Sequence, residues 1–236
     1  LDNFTIHGVD FTFDTVANSQ IVNYDWFMGA LSSGSWEKET FEIFESVKDK
    51  TKTAIDIGAW IGPTSIWLSK NFKNVIAVEA DRMAISALKA NLESSNCNNV
   101  KIVENPVFSK SNVNLYFGCN SKIKAVLGDS TSQLKENTTD NKDFEVLTVS
   151  IHDLLKDLKD VSFIKVDIEG GEENIIPDLF EICKSNGYSL LISFHYGWWK
   201  DHNLERFEKY FNLASNEKDI SKFIKSNPFG SLFLTF

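Results

Sequence analysis

The chain has 236 residues, 42% of them hydrophobic, with 19 Phe and 6 Trp, enough to bury the core of one α/β domain. A formal charge of −9, with Arg82 and Arg206 as its only arginines and no basic patch, opposes binding to a nucleic-acid backbone. Cys97, Cys119 and Cys183 lack disulfide or metal spacing, no apolar run approaches the ~18 residues of a membrane span, and no leader pattern is visible, so reduced thiols, a cytoplasmic setting and no membrane partner are expected.

Residues 1–50 read as a partly helical, otherwise irregular extension packed on the core, ahead of a domain over 51–236. Trp26-Phe27-Met28 looks irregular; 36–47 reads as a helix with Phe41, Phe44 and Val47 on one face. A buried strand at 53–57 breaks at Gly58 into a loop, and Pro63 suits the first turn of the helix that follows. A second strand at 75–78 leads to Asp81, a good N-cap for a helix carrying Ile85, Leu88 and Leu92 on one stripe. A third strand at 100–103 ends in the turn Asn105-Pro-Val107.

From 111 to about 150 the rhythm changes. Residues 113–117 and 144–149 read as strands of an antiparallel insertion, separated by a polar run at 129–142 expected to be a mobile loop. A short helix at 151–158, a fourth strand at 161–168, a helix at 172–185 with a kink or break at Pro177, and a fifth strand at 188–194 follow. Helices at 204–213 and 220–224 and a strand at 231–236 complete the chain. The alternation predicts an α/β fold, a mostly parallel central sheet flanked by helices.

Ligands of such sheets bind beyond the carboxyl ends of the strands. Asp56, Glu79, Asn105, Asp167, Glu169 and His195 all fall at predicted strand ends. The spacing from Gly58 to Glu79 is close to the ~20 residues between a glycine loop and an acid on ribose hydroxyls. The loop reads D-x-G-x-x-x-G rather than the G-x-G-x-x-G of dinucleotide sites. An acid before the first glycine suits S-adenosylmethionine (SAM), which has an ammonium and no pyrophosphate; S-adenosylhomocysteine would be the product.

Gly58 and Gly62, with Ala59, Trp60 and Pro63 completing the loop, would let the backbone approach the methionine part. Asp56 would meet the ammonium, or else cap the helix; Glu79 would accept both ribose hydroxyls. Asn105 would bond the adenine amine, or serve only as a turn residue, with Ala80 and Val107 packing on the ring. Asp167 and Glu169 would position a substrate hydroxyl or stabilise the sulfonium. His195 or Glu169 would take the hydroxyl proton, and Trp198 and Trp199 are either flat faces for a sugar or packing. No full set of oxygen ligands can be named, so no metal is predicted.

Three stretches resemble the FkbM family of SAM-dependent methyltransferases: Asp56-Ile-Gly-Ala-Trp-Ile-Gly62, similar to D-x-G-A-N-x-G; Ile164-Lys-Val-Asp-Ile-Glu-Gly-Gly-Glu172, similar to K-x-D-x-E-G-x-E; and Ser193-Phe-His195. Ser35-Trp-Glu37 and the stretch Val149-Ser-Ile-His-Asp-Leu154 echo further family patterns, while Trp60 replaces the usual small or amide residue of the loop. The resemblance implies a Rossmann-like class I methyltransferase fold and methyl transfer to oxygen on a small-molecule or glycan acceptor. A nicotinamide-dependent oxidoreductase is disfavoured by the missing dinucleotide motif. A SAM-binding scaffold without turnover is the alternative of another class, and would tolerate loss of both His195 and Glu169.

Overall fold

In the computed structural model, which describes residues 1–119, 128–138 and 141–236, the chain opens on an antiparallel hairpin of β1 (Asp2–Ile6) and β2 (Val9–Phe13). His7 and Gly8 form its tight turn, both with positive φ (45° and 72°), the backbone that matches the twist of paired strands. Two helices follow, α1 (Tyr24–Ser32) and α2 (Lys38–Val47). The first fifty residues are therefore more regular than their sequence suggested. Phe11 and Phe13 alternate with polar neighbours and are fully buried, a period-two signal, and Trp26-Phe27-Met28 lies within α1. Asn91 ties this layer to the core: its side chain accepts from the Asp14 amide at 2.9 Å and from Asn18 at 2.7 Å, and donates to the Ile61 carbonyl at 2.8 Å.

The βα alternation then runs as expected: β3 (Thr53–Ile57), α3 (Pro63–Asn71), β4 (Asn74–Val78), α4 (Arg82–Ser94) and β5 (Val100–Val103). Asp81 caps α4, accepting from the Met83 and Ala84 amides at 2.8 and 3.3 Å. Next come β6 (Val107–Phe108), β7 (Asn114–Gly118), β8 (Gln133–Lys135), β9 (Phe144–Leu147) and β10 (Val149–Ser150). The insertion is an antiparallel sheet in the order β8-β7-β9, beside a short parallel pair of β6 and β10. The polar run expected to be a loose loop contains β8, and its start is pinned because Asp81 also accepts from the Gly128 amide and the Ser132 hydroxyl at 2.8 and 2.9 Å. Residues 139–140 of that run lie outside the described residues.

The remainder is α5 (Ile151–Leu155), β11 (Val161–Val166), α6 (Ile176–Asn186), β12 (Ser189–Ser193), α7 (Glu208–Phe211), α8 (Ile220–Ser226) and β13 (Ser231–Leu234). The helix expected at 172–185 is broken: a 3-10 turn covers Gly171–Asn174, and Pro177 sits in the first turn of α6, where its missing N–H costs nothing. Likewise a 3-10 turn, Leu204–Phe207, precedes α7.

The central sheet has six strands in the order β13-β12-β11-β3-β4-β5, parallel except for β13 against β12. The hairpin and α1 to α4 cover one face, reached by Ala54 and Phe163; α5 to α8 cover the other, reached by Ile55 and Ile164. The chain runs outward from β3 to β5 and then returns to β11 on the other side of β3. The direction thus reverses between β3 and β11, the position where open sheets leave a crevice. All three cysteines are buried, and among the described residues no helix is long and apolar enough to cross a membrane.

Candidate functional site

The crevice begins where β3 ends. Gly58 has φ 87°, and a Cβ there would lie 1.8 Å from the Asp167 carbonyl oxygen, so only glycine lets β3 and β11 diverge this tightly. Trp60 follows at φ 47°, donating its indole N–H to the Gly128 carbonyl at 3.0 Å and its amide to Glu79 Oε2 at 2.8 Å. Glu79 also accepts from the Ala80 and Asp81 amides on Oε1, both at 2.8 Å. Burial pushes its carboxyl up to about 7 against these donors. Three of its roughly four acceptor positions are occupied, so one lone pair on Oε2 remains for a ligand, fewer than the two expected for a pair of ribose hydroxyls. Glu79, Ala80, Pro106 and Val107 line one cavity with Gly58 and Asp167.

Asp56 does not face that cavity. In the register of β3 and β11 it sits opposite Lys165, and period-two alternation turns both side chains toward α3. Asp56 is 0% exposed and accepts from Thr64 and Ser65 hydroxyls at 2.7 and 2.6 Å. Its other oxygen lies 3.5 Å from Lys165 Nζ, which is also 3.7 Å from Asp167 Oδ2. The acid expected at an ammonium is therefore an anchor for the first turn of α3. Burial disfavours the charge on Lys165, but Asp56, Asp167 and Glu37 outweigh it and raise its pKa. Glu37, just before α2 at φ 42°, is pushed up to about 7 by burial and by Asp167, with Lys165 and Thr40 pulling the other way.

The third group lies beyond β11 and β12. Glu169, itself at φ 54°, and Asp167 both turn toward His195, with Nε2 at 3.2 Å from Glu169 Oε2 and 3.6 Å from Asp167 Oδ1. On its other side His195 Nδ1 meets Glu172 Oε1 at 2.9 Å. Glu172 is completely buried, and also accepts from Trp199 Nε1 at 3.1 Å and from the Ile168 and Gly170 amides. Burial opposes the imidazolium, yet Glu172, Glu169 and Asp167 outweigh it and lift His195 to about 9. Burial pushes Glu169 up to about 8, opposed by His195 and reinforced by Asp167 and Glu172. Glu172 stays below its ordinary value, since His195, Trp199 and the Gly170 amide overcome its burial. Asp167, Glu169 and His195 present ligand atoms within 4.8 Å of one another, which could hold a metal ion, but their own ion pairs account for that closeness.

Around Glu169 three cavities meet, and among the described residues it alone lines all of them. One is the cavity of Glu79 and Val107. The second, about 600 Å³, has a mixed lining and lies between β8 and Trp198, with Gln133, Asn174, Glu173 and Lys200 on its walls beside Phe108 and Leu115. The third, about 120 Å³, lies beyond Trp60 and includes Ala59, Pro63, Glu37 and Lys165.

Asn105 lies outside this assembly. It is exposed, donates to the Leu147 carbonyl at 2.7 Å, and does not line the cavity of Glu79 and Val107, so it serves the turn. Trp199 is 1% exposed and packs in the core, whereas Trp198 stacks on His195 with ring centroids 5.3 Å apart. Glu172, Lys165 and Glu37 were not singled out from sequence as site residues; only their occurrence in the family-like runs marked them.

A glycine turn, an acid after the second strand and a cavity at the reversal between β3 and β11 define a class I methyltransferase fold. Residues 56–219 match the methyltransferase FkbM domain, well over half of the chain, which therefore belongs to the FkbM methyltransferase family. No curated protein matches the sequence. Among solved structures, methyltransferase FkbM from Methylobacillus flagellatus is 13% identical over 94% of this chain and 57% of that one, with TM-score 0.48. Precorrin-6y C5,15-methyltransferase from Geobacter metallireducens is 14% identical over 75% and 68%, with TM-score 0.43. An rRNA methylase from Streptococcus thermophilus is 10% identical over 77% and 79%, with TM-score 0.45. At these scores the family match and the strand order, rather than the neighbours, define the class.

Proposed function

We propose that the protein is a SAM-dependent O-methyltransferase acting on a hydroxyl of a sugar or secondary metabolite. The observation that carries this reading is the position of Glu169 at the junction of the three cavities, backed by His195. The residues of the first cavity fit the cofactor chemically: Gly58 admits close approach, Glu79 keeps an acceptor for ribose, and Ala80, Pro106 and Val107 offer an apolar wall to adenine. Its free space is about 70 Å³, smaller than the roughly 300 Å³ of small-molecule sites. When bound, SAM supplies a methyl group already activated on a sulfonium.

The chain contributes alignment, exclusion of water and a place for the proton. Glu169 touches all three cavities and is the better placed of the two base candidates; His195 stands behind it and lines none of them. Above its raised value of about 8 Glu169 is ionised and takes the hydroxyl proton, with the imidazolium of His195 beside it at 3.2 Å. The cavity between β8 and Trp198, with polar and apolar walls, receives the acceptor, and Trp198 offers the stacking face. The charge of −9 favours a small neutral or cationic acceptor over nucleic acid.

The test is incubation with SAM and a panel of hydroxylated acceptors, read by mass spectrometry as one added methyl per acceptor in an alkali-stable ether. Glu169→Gln should lower kcat at least about a hundredfold, the usual contribution of a general base. Turnover unchanged in Glu169→Gln, or methyl found only on nitrogen or carbon, would overturn the reading.

A further inference from the structure

The amino-acid end of SAM carries an ammonium, and the acid first expected to receive it, Asp56, is wholly buried and committed to Thr64, Ser65 and Lys165. A different acid is exposed to the space where that end would lie. The cavity of about 120 Å³ shares Gly58, Trp60, Asp167 and Glu169 with the cavity of Glu79 and Val107, so the two lie side by side.

Glu37 lines this space beside Lys165. Among the described residues Lys165 is the only basic group on its wall, and its Nζ is already engaged by Asp56 at 3.5 Å, Asp167 at 3.7 Å and the Gly58 carbonyl at 3.4 Å. Among the described residues no basic group forms an ion pair with Glu37. Asp167 and Glu169 on this wall are also paired with His195, at 3.6 and 3.2 Å, which leaves Glu37 as the acid there with no cation of its own. Phe27 and Trp36 give this wall an apolar part, Phe27 lying edge-on to Trp36 at 5.2 Å and to Trp60 at 4.9 Å.

We propose that Glu37 receives the ammonium of the amino-acid end of SAM in this cavity, an inference that rests on the cofactor assignment above. The site also gives a use to Trp60, which departs from the family loop: its left-handed backbone and its bond to Gly128 make it the partition between the nucleoside and amino-acid cavities.

The test needs no acceptor. Calorimetry would compare S-adenosylhomocysteine, its deamino analogue lacking only the amino group, and 5′-methylthioadenosine, on the wild-type chain and on Glu37→Gln. Wild type should prefer S-adenosylhomocysteine over the deamino analogue by roughly 10- to 100-fold, the contribution of a charged hydrogen bond. Glu37→Gln should abolish that preference while binding 5′-methylthioadenosine within about twofold of wild type, which also reports that the variant is folded. If wild type fails to distinguish the two ligands, or the variant keeps the preference, Glu37 is not the partner. If wild type binds none of the three, the cofactor assignment itself falls, and this inference with it.

Discussion

Replacing Glu172 by Gln tests the electrostatic design of the site without removing a group that lines the cavity of Glu79 and Val107. Glu172 Oε1 lies 2.9 Å from His195 Nδ1, and the carboxylate is wholly buried. Two unit charges about 4 Å apart at an effective dielectric of about 20 interact by about 4 kcal/mol, an upper limit of about three pK units. His195 rises from 6.5 to about 9 against its burial, and three carboxylates share that rise. Glu169 and Asp167 remain in Glu172→Gln, and the new amide oxygen can still accept from Nδ1–H. The His195 pKa should therefore fall by about one to two units. The bond from Trp199 Nε1 would be lost to the new NH2 group, costing about 1–3 kcal/mol of stability. The assay is a pH titration of imidazole nitrogen shifts by NMR. The chain has only four histidines, and His195 is assigned by the signal missing from His195→Gln. A His195 that titrates near its ordinary value in wild type, or identically in both proteins, would refute the reasoning.

Asn91→Ala removes both acceptor and donor from a fully buried link between the hairpin layer and the core; unfolding in urea should show a loss of about 2–3 kcal/mol, and a loss near zero would mean the layer is held by apolar packing alone. Gly58→Ala places a methyl 1.8 Å from the Asp167 carbonyl oxygen, so a large drop in Tm and loss of S-adenosylhomocysteine binding are expected, and a wild-type Tm would contradict the turn geometry. The pH dependence of stability follows from the raised groups, Glu37 and Glu79 at about 7, Glu169 at about 8 and His195 at about 9. Each stabilises the native state below its unfolded value and loses that contribution as pH rises through its folded value, so urea midpoints should fall between about pH 5 and pH 9; a rise over that window would count against the burial of these acids.

Much of the frame was legible because local chemistry and tertiary structure agree. Asp81 as a cap, Pro63 in a first turn and the apolar strands at β3 and β4 need no distant partner to be recognised. The hairpin at the start is equally legible, since Phe4, Ile6, Val9, Phe11 and Phe13 alternate around His7 and Gly8. Asp56 and Asn105 are different. Both occupy strand ends as expected, yet their orientation is decided by partners the local pattern does not reveal: the hydroxyls of Thr64 and Ser65 for one, and the Leu147 carbonyl, 42 residues away, for the other. Glu172 was hidden for the same reason, because its importance lies in a contact with His195 across 23 residues of sequence.

The central claim is that the cavity between Glu79 and Val107 binds the sulfur nucleoside. Calorimetric titration of S-adenosylhomocysteine into the wild-type chain and into Glu79→Ala tests it most directly. The account predicts micromolar binding that weakens at least about tenfold in the variant. Absence of binding in wild type, or equal affinity in both proteins, would contradict it.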